Sequence, residues 1–187
     1  MQRLVEAYDT AIARVERAGD AALPLLARFV FAATLLVYFW TSALTKLGDG
    51  ALGFLRPSVG AHAQIFPRQI EAAGYDLSQL TPFHWLVVTA GTWAEFVLPA
   101  LIVLGLATRA AALGMIGFVL LQSLTDIYGH GLSDAKTLGA WFDPAPDSTI
   151  MDQRLFWLFI LCFLVVKGAG ALSLDELLRR RMAPVSP

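Results

Sequence analysis

The sequence is poor in charge and in cysteine. Asp, Glu, Lys and Arg together make up 16% of its 187 residues, whereas a soluble domain usually contains about 25%. The net charge of −1 gives no electrostatic basis for binding nucleic acid. The single cysteine, Cys162, cannot form an internal disulfide or supply a CxxC pair or a thiolate metal cage. These absences exclude a nucleic-acid-binding protein and a secreted disulfide scaffold, and they argue against autonomous dithiol chemistry.

Recognisable catalytic motifs are also missing. The chain contains no phosphate-binding loop, no nucleophile elbow and no HExxH zinc helix. The three histidines are His62, His84 and His130, and no pair of them has ligand spacing within one helix. We therefore expect no catalytic residue and no metal site. The isolated chain is expected not to be an enzyme, although a place as the membrane subunit of an oxidoreductase stays open.

Apolar residues are abundant and lie in long runs. Hydrophobic residues make up 57% of the chain, and the run over 77–108 contains one charge, Glu95, in 32 residues. A spanning helix needs about 20 mostly apolar residues, and a buried soluble helix usually keeps a polar stripe that these runs mostly lack. The sequence therefore predicts an all-α, polytopic membrane four-helix bundle rather than a soluble one. The four predicted spans are 25–47, 82–107, 109–131 and 153–172.

The two ends of the chain are amphipathic. Apolar residues recur at helical spacing over 1–22 with charges between them, which predicts an interfacial helix lying along the headgroups. A helix packed on a soluble partner is the alternative, and a signal peptide is disfavoured because no apolar h-region is present. Ser173 and Glu176 form a capping-box pattern that begins a short helix. We expect a membrane domain over 23–178 and a basic cytoplasmic tail over 179–187.

The distribution of Lys and Arg predicts the orientation. With four spans and both termini inside, nine of these residues fall on the inner side and five on the outer side. The positive-inside rule then favours N-in, C-in topology, and the membrane is expected to be a bacterial inner membrane. The long loops 48–81 and 132–152 are expected outside.

Six polar or aromatic residues are candidates for a ligand site, because polar groups in a membrane are costly and mark function. Gln122, Asp126 and His130 share one face of the third span at i, i+4 and i+8, and Lys46 ends a similar row on the first span. On the second span Glu95 has Trp93 beside it. These rows predict a polar cavity in the outer half of the bundle. The candidates are Glu95, Gln122, Asp126, Lys46, Trp93 and His130.

The alternative for this cluster is structural, since polar side chains commonly join membrane helices by hydrogen bonds. A lone charge at mid-membrane is unfavourable, so Glu95 is expected to be protonated or paired. Gln122 matches it best in depth, ahead of Lys46 and Arg28.

Three segments resemble the DoxX family in order along the chain. They are FWTSALTKL at 39–47, LGLATRAA at 104–111 and KGAGALSLDELL at 167–178. The last is similar to the terminal GPGxxSLD signature of the family, with Ala169 where a proline is usual, and Ala43 stands where a glycine is usual in the first. The resemblance covers about 25–178 and implies a four-helix membrane bundle.

The resemblance implies fold more firmly than function. Relatives of the family include membrane subunits linked to thiosulfate–quinone oxidation and components of oxidative-stress complexes, so a quinone is the candidate cofactor. Our first hypothesis is an accessory or subunit of a quinone-linked redox system or of an oxidative or metal-stress system. A non-enzymatic scaffold or assembly factor and a small-solute or metal transporter are the alternatives. Expected partners are the lipid bilayer and another membrane or periplasmic protein, with a homo-oligomer also open.

Overall fold

The computed structural model of the protein describes residues 1–182, which are mostly helical and contain no strand. The α-helices are α1 (Gln2–Phe31), α2 (Val37–Lys46), α3 (Val59–Ile65), α4 (Pro67–Ala72), α5 (Pro82–Leu104), α6 (Thr108–Leu124), α7 (Arg154–Lys167) and α8 (Leu174–Met182). Short π-helical turns occupy Ala32–Leu36, Thr125–Gly129 and Thr149–Gln153, and a 3-10 turn occupies Leu77–Gln79.

Four helices are long and apolar enough to cross a membrane, as the sequence predicts. They are Gln2–Lys46, Pro82–Leu104, Thr108–Gly129 and Thr149–Lys167, here called the first to fourth spans. Many of their large apolar side chains are exposed, among them Phe159 and Leu113 at 70% and 57%. Helices that are apolar on all faces belong in lipid, so the protein is a multi-pass membrane protein.

The first span is longer than predicted. Residues 1–22 were expected as a separate helix, but α1, the π-helical turn and α2 form one helix from Gln2 to Lys46. At 1.5 Å per residue it is about 68 Å long, more than twice the roughly 30 Å hydrocarbon core. Pro24 lies within this helix without ending it, and its ring packs beside Gly170. The amphipathic segment is thus helical, and its place at a membrane interface stays a prediction.

The other three spans end earlier than predicted, and two of these ends are set by glycine. The second span stops at Leu104 rather than 107, because Gly105 takes the left-handed conformation that ends helices. The fourth stops at Lys167 rather than 172, where Gly168 has φ +77°. The third ends with the π-helical turn at Gly129 rather than 131.

The four spans pack around one apolar core toward one end of the bundle. We call this the terminal end, formed by 105–107 and 168–182, and the opposite end, formed by 47–81 and 130–148, the loop end. The core comprises Phe31, Leu35, Phe39, Ile102, Ala111, Ala112, Met115, Val119, Leu161 and Leu164. Its small alanines on α6 allow close helix packing, as in other membrane bundles.

The terminal end is closed by one buried arginine. Arg28, 7% exposed, donates hydrogen bonds to the carbonyl oxygens of Ile102 and Val103 at the end of α5. It also donates to the carbonyl oxygens of Ala169 and Leu172, which follow the fourth span. A cation is favourable at a helix C-terminus, so this side chain ties three segments together.

Asp175 caps the start of α6, as Arg28 caps the end of α5. Its carboxylate accepts from the backbone N–H groups of Ala107 (2.6 Å) and Thr108 (3.0 Å). Partial burial raises the pKa of Asp175, but these hydrogen bonds and the nearby Arg28 charge outweigh it and hold the pKa below its ordinary value. The SLD segment of the sequence therefore supplies a helix cap.

The short helix expected at the C-terminus is α8. Ser173 caps it by accepting from the Glu176 N–H, while the Glu176 carboxylate pairs with Arg179 and Arg180 instead of completing the capping box. Of the basic tail predicted over 179–187, residues 179–182 belong to this helix and 183–187 lie outside the described residues.

Candidate functional site

A buried ion pair joins the first and second spans near the loop end. Lys46 Nζ lies 2.8 and 3.0 Å from the two carboxylate oxygens of Glu95, and the residues are 5% and 2% exposed. Ser42 Oγ donates to the same carboxylate and accepts from the ammonium at 2.7 Å. Glu95 is therefore paired, as expected, but its partner is Lys46. The preference for Gln122 is wrong, because the four-carbon side chain of Lys46 reaches down from the end of α2 to the depth of Glu95.

The ion pair lies at one end of a cavity of about 560 Å³ between the first three spans and α3. Polar side chains on its wall include Ser42, Lys46, Glu95, Gln122, Asp126 and His130. The apolar part of the wall comes from α5 and α6, with Val87, Ala90, Gly91, Ala94, Leu98, Gly114, Gly117, Phe118 and Leu121. The small residues on both helices leave the space, and a Cβ built at Gly117 would meet nothing within 4 Å.

Gln122 faces this cavity with one half of its amide unused. Its Nε2 donates to Tyr38 Oη at 3.1 Å, whereas its buried Oε1 has no partner among residues 1–182. A buried carbonyl oxygen without a donor is unfavourable by about 1–3 kcal/mol. A ligand that carries an O–H or N–H group in the cavity would satisfy it.

Asp126 is held by an arginine that the sequence reasoning missed. Arg154 Nη2 lies 2.6 Å from the Asp126 carboxylate, and its Nη1 donates to Ser123 Oγ at 2.8 Å. Arg154 is 3% exposed, although its place at the start of the fourth span suggested a loop charge. The run of residues without another charge after it could have indicated that Arg154 needs an internal partner.

The last two candidates differ in position. His130 lines the cavity, and its Nε2 is 3.0 Å from the backbone oxygen of Gln64. Trp93 is not in the cavity: its side chain is 42% exposed and donates to the backbone oxygen of Phe54 at 3.1 Å. Two positions from Glu95, Trp93 lies about 200° away around the helix at 3.6 residues per turn. The expectation for Trp93 is therefore corrected, whereas the other five candidates meet at one cavity.

The chemistry of the cavity is that of an amphipathic binding site rather than a metal site. Within residues 1–182 no group of three His, Cys, Asp or Glu side chains is placed to hold a metal ion. Each carboxylate on the wall, Glu95 and Asp126, faces a cation on another span, so the site carries little net charge. It can accept a neutral molecule with hydrogen-bonding groups at one end and an apolar body.

Comparison with known proteins gives one match. A family model described as DoxX matches residues 23–125, more than half of the chain. The match begins after the amphipathic segment and includes Lys46, Glu95 and Gln122, but it ends before Asp126 and His130. No curated protein and no solved structure matches the chain.

Proposed function

The chain belongs to the DoxX family of membrane proteins, and from this premise we propose that it binds a quinone in the membrane as an accessory subunit of a redox system. The observation that carries the proposal is the cavity, whose wall combines polar side chains, Glu95, Lys46 and Gln122 among them, with an apolar surface from α5 and α6. A quinone has the same division, with two carbonyl groups on a ring and an apolar tail.

The polar groups of the cavity can also contact a quinone headgroup. Lys46 and Ser42 already donate to the Glu95 carboxylate, so a quinone carbonyl would share these donors with that carboxylate. The free Gln122 Oε1 is an acceptor, which fits the hydroxyl of the reduced form. Because Lys46 and Glu95 neutralise each other, a neutral headgroup enters without leaving a charge unpaired.

The volume and the walls of the cavity also fit. At about 560 Å³ it lies within the roughly 300–1,000 Å³ of small-molecule sites. The alanines and glycines of α5 and α6 form a smooth apolar wall that a ring and the start of a tail can contact. Between this cavity and the terminal end lies the packed apolar core, which favours a binding role over a path for solutes across the bundle.

The quinone supplies the redox chemistry, and electrons must come from another protein. The chain has one cysteine and no flavin or haem motif in its sequence, so its own residues orient the headgroup and exclude water. We propose a membrane or periplasmic redox protein as the partner. The distinction from a pure scaffold or assembly factor depends on whether a quinone binds.

A cavity-filling variant tests the proposal. Gly117→Leu adds a side chain in open space beside Gly117, and leucine is a better helix former than glycine, so folding is expected to be intact. We expect decylubiquinone to bind the purified wild-type protein in mild detergent and its affinity to fall about tenfold or more in the variant. Calorimetry and mass spectrometry of co-purifying lipophilic molecules measure the two effects.

Leu120→Phe is the matched control, because Leu120 is on the same helix with its side chain 49% exposed and outside the cavity wall. It should bind the quinone as the wild type does. Absence of saturable binding to the wild type, or equal affinity in Gly117→Leu, contradicts the proposal and favours a scaffold.

We also propose that the terminal end faces the cytoplasm of a bacterial inner membrane. Nine Lys and Arg residues fall on the side of the predicted topology that includes the terminal end, one of them, Arg28, being buried. Five fall on the other side, and two of these, Lys46 and Arg154, are buried in ion pairs. The positive-inside rule then gives N-in, C-in topology. A fluorescent protein fused after the last residue is expected to be fluorescent, and alkaline phosphatase inserted within 132–152 is expected to be active. A C-terminal fusion that is active only in an oxidising compartment would show that the terminal end faces away from the cytoplasm and would contradict this topology.

A further inference from the structure

A second cavity lies at the loop end, beside α3. It has a volume of about 470 Å³ and is lined by Arg56, Pro57, His62, Leu77, Leu80, Thr81, Pro82 and Trp85. None of these residues lines the first cavity. Its position before the second span places it at the mouth of the bundle, within reach of water-soluble molecules.

His62 is the buried polar group of this cavity, and its neighbour Ser58 fixes which ring nitrogen donates a hydrogen bond. The residue is 3% exposed, and its Nδ1 lies 2.9 Å from the backbone oxygen of Ser58. A carbonyl oxygen can only accept, so Nδ1 carries the proton and Nε2 keeps its lone pair in the neutral ring. Within residues 1–182 this Nε2 has no hydrogen-bond partner. The cavity thus presents an acceptor to its contents.

The position of His62 is well supported. Ser58 caps α3 by accepting from the Ala61 N–H, and its own N–H donates to the backbone oxygen of Lys46 at 3.0 Å. The ring is therefore attached through Ser58 to the end of the first span. A side chain held in this way presents its acceptor in one direction, as binding sites require.

The remaining walls indicate the kind of molecule that fits. Arg56 lies at the cavity, and no carboxylate among residues 1–182 pairs with it. The indole of Trp85 is fixed by its Nε1 donating to the backbone oxygen of Leu55 at 3.0 Å, and Pro57 and Pro82 add flat apolar surface. Arginine favours a carboxylate, and flat apolar walls favour an aromatic ring.

We propose that this outer cavity binds a small aromatic acid that carries a hydroxyl group, with Arg56 on its carboxylate and His62 Nε2 accepting from its hydroxyl. The hydroxybenzoates are the simplest molecules of this class. The site is separate from the quinone cavity, and neither depends on the other for its chemistry.

Calorimetric titration of the full-length protein in micelles with 2-, 3- and 4-hydroxybenzoate tests the proposal. At least one isomer is expected to bind saturably, at one molecule per chain. Benzoate, which lacks the hydroxyl, and the matching hydroxybenzamide, which lacks the charge, are expected to bind about tenfold more weakly. The benzoate comparison tests the His62 contact without changing a buried side chain.

Arg56→Gln is expected to weaken the acid about tenfold or more and to leave decylubiquinone binding unchanged. Arg68→Gln is the matched control, because Arg68 is an exposed arginine on α4, at the same end of the bundle, that does not line the cavity. Three results would overturn the proposal: no saturation by any isomer at millimolar concentration, wild-type affinity in Arg56→Gln, or loss of acid binding in Gly117→Leu. Acid binding without quinone binding would contradict the proposed function and leave this site standing.

Discussion

Replacing Glu95 by leucine is expected to lower the free energy of unfolding by about 3–5 kcal/mol, the range for breaking a buried ion pair from one side. Lys46 is only 5% exposed. Without Glu95 its ammonium group keeps only the neutral oxygens of Ser42 as hydrogen-bond partners. Lys46→Met is expected to destabilise the protein by a similar amount, because it removes the cation that pairs with the buried Glu95 carboxylate. Reversible unfolding of the purified protein in mixed micelles measures both.

The double variant separates the stability contributed by the ion pair from the destabilisation caused by one buried charge without its partner. Lys46→Met with Glu95→Leu removes both charges and keeps similar volume, so most of the lost stability is expected to return. The coupling between the two changes is then large and favourable. Additive losses in the double variant would show that the two side chains do not interact in the folded protein.

Glu95→Gln tests whether the same residue also serves the quinone. Glutamine keeps the shape and one acceptor oxygen, but it loses the second acceptor and the negative charge that pairs with Lys46. We expect this variant to be less stable than the wild type but to fold in mild detergent, and, if Glu95 positions the headgroup, to lose decylubiquinone affinity. A Glu95→Gln protein that retains bound quinone and complements a deletion fully across pH would assign Glu95 to structure alone.

The sequence was enough to bring five of six site candidates to one cavity, because helical spacing fixes which residues share a face. Gln122, Asp126 and His130 stay together even though a π-helical turn replaces the last turn of that span. The spacing of residues along one helix does not determine how that helix is rotated relative to its neighbours. For that reason the sequence could not show which of Glu95 and Trp93 faces the bundle, although their separation of about 200° around the helix excludes that both face one cavity.

Partners across helices were also beyond the sequence. The pairing of Asp126 with Arg154 joins the third and fourth spans, and only the packed bundle shows that Arg154 is buried. Long side chains add a further uncertainty, since Lys46 lies at the end of its helix yet reaches the depth of Glu95. Helix positions were predicted well because apolar length is a property of the segment itself.

The terminal end was predicted least, because its contacts are made by backbone groups of segments far apart in the sequence. Arg28 bonds carbonyl oxygens 74 to 144 residues away. The LGLATRAA and SLD segments carry the family resemblance, and they meet at this point, where the Asp175 N–H donates to the Gly105 oxygen at 2.8 Å. In this chain the two segments together close the bundle at the terminal end.

Gly105→Ala is therefore expected to be among the most damaging single-methyl changes in the protein. Gly105 has φ +68°, and a Cβ there would lie 2.6 Å from Ser173 Cβ and 2.8 Å from Arg28 Cζ. The unfavourable backbone conformation costs alanine about 1 kcal/mol, and forcing a methyl into a packed site adds about 1–3 kcal/mol. Displacement of Arg28 would also weaken its four hydrogen bonds to carbonyl oxygens. The same unfolding measurement should show a loss of about 3 kcal/mol or more.

Gly50→Ala isolates the backbone contribution to that loss. Gly50 has a similar φ of +74°, but a Cβ there would meet nothing within 4 Å, so its loss should stay near 1 kcal/mol. The difference between the two variants then measures the contact with Arg28 and Ser173. Equal losses of unfolding free energy would mean that Arg28 and the loop after the fourth span move aside at little energetic cost. Arg28 would then not hold the terminal end closed.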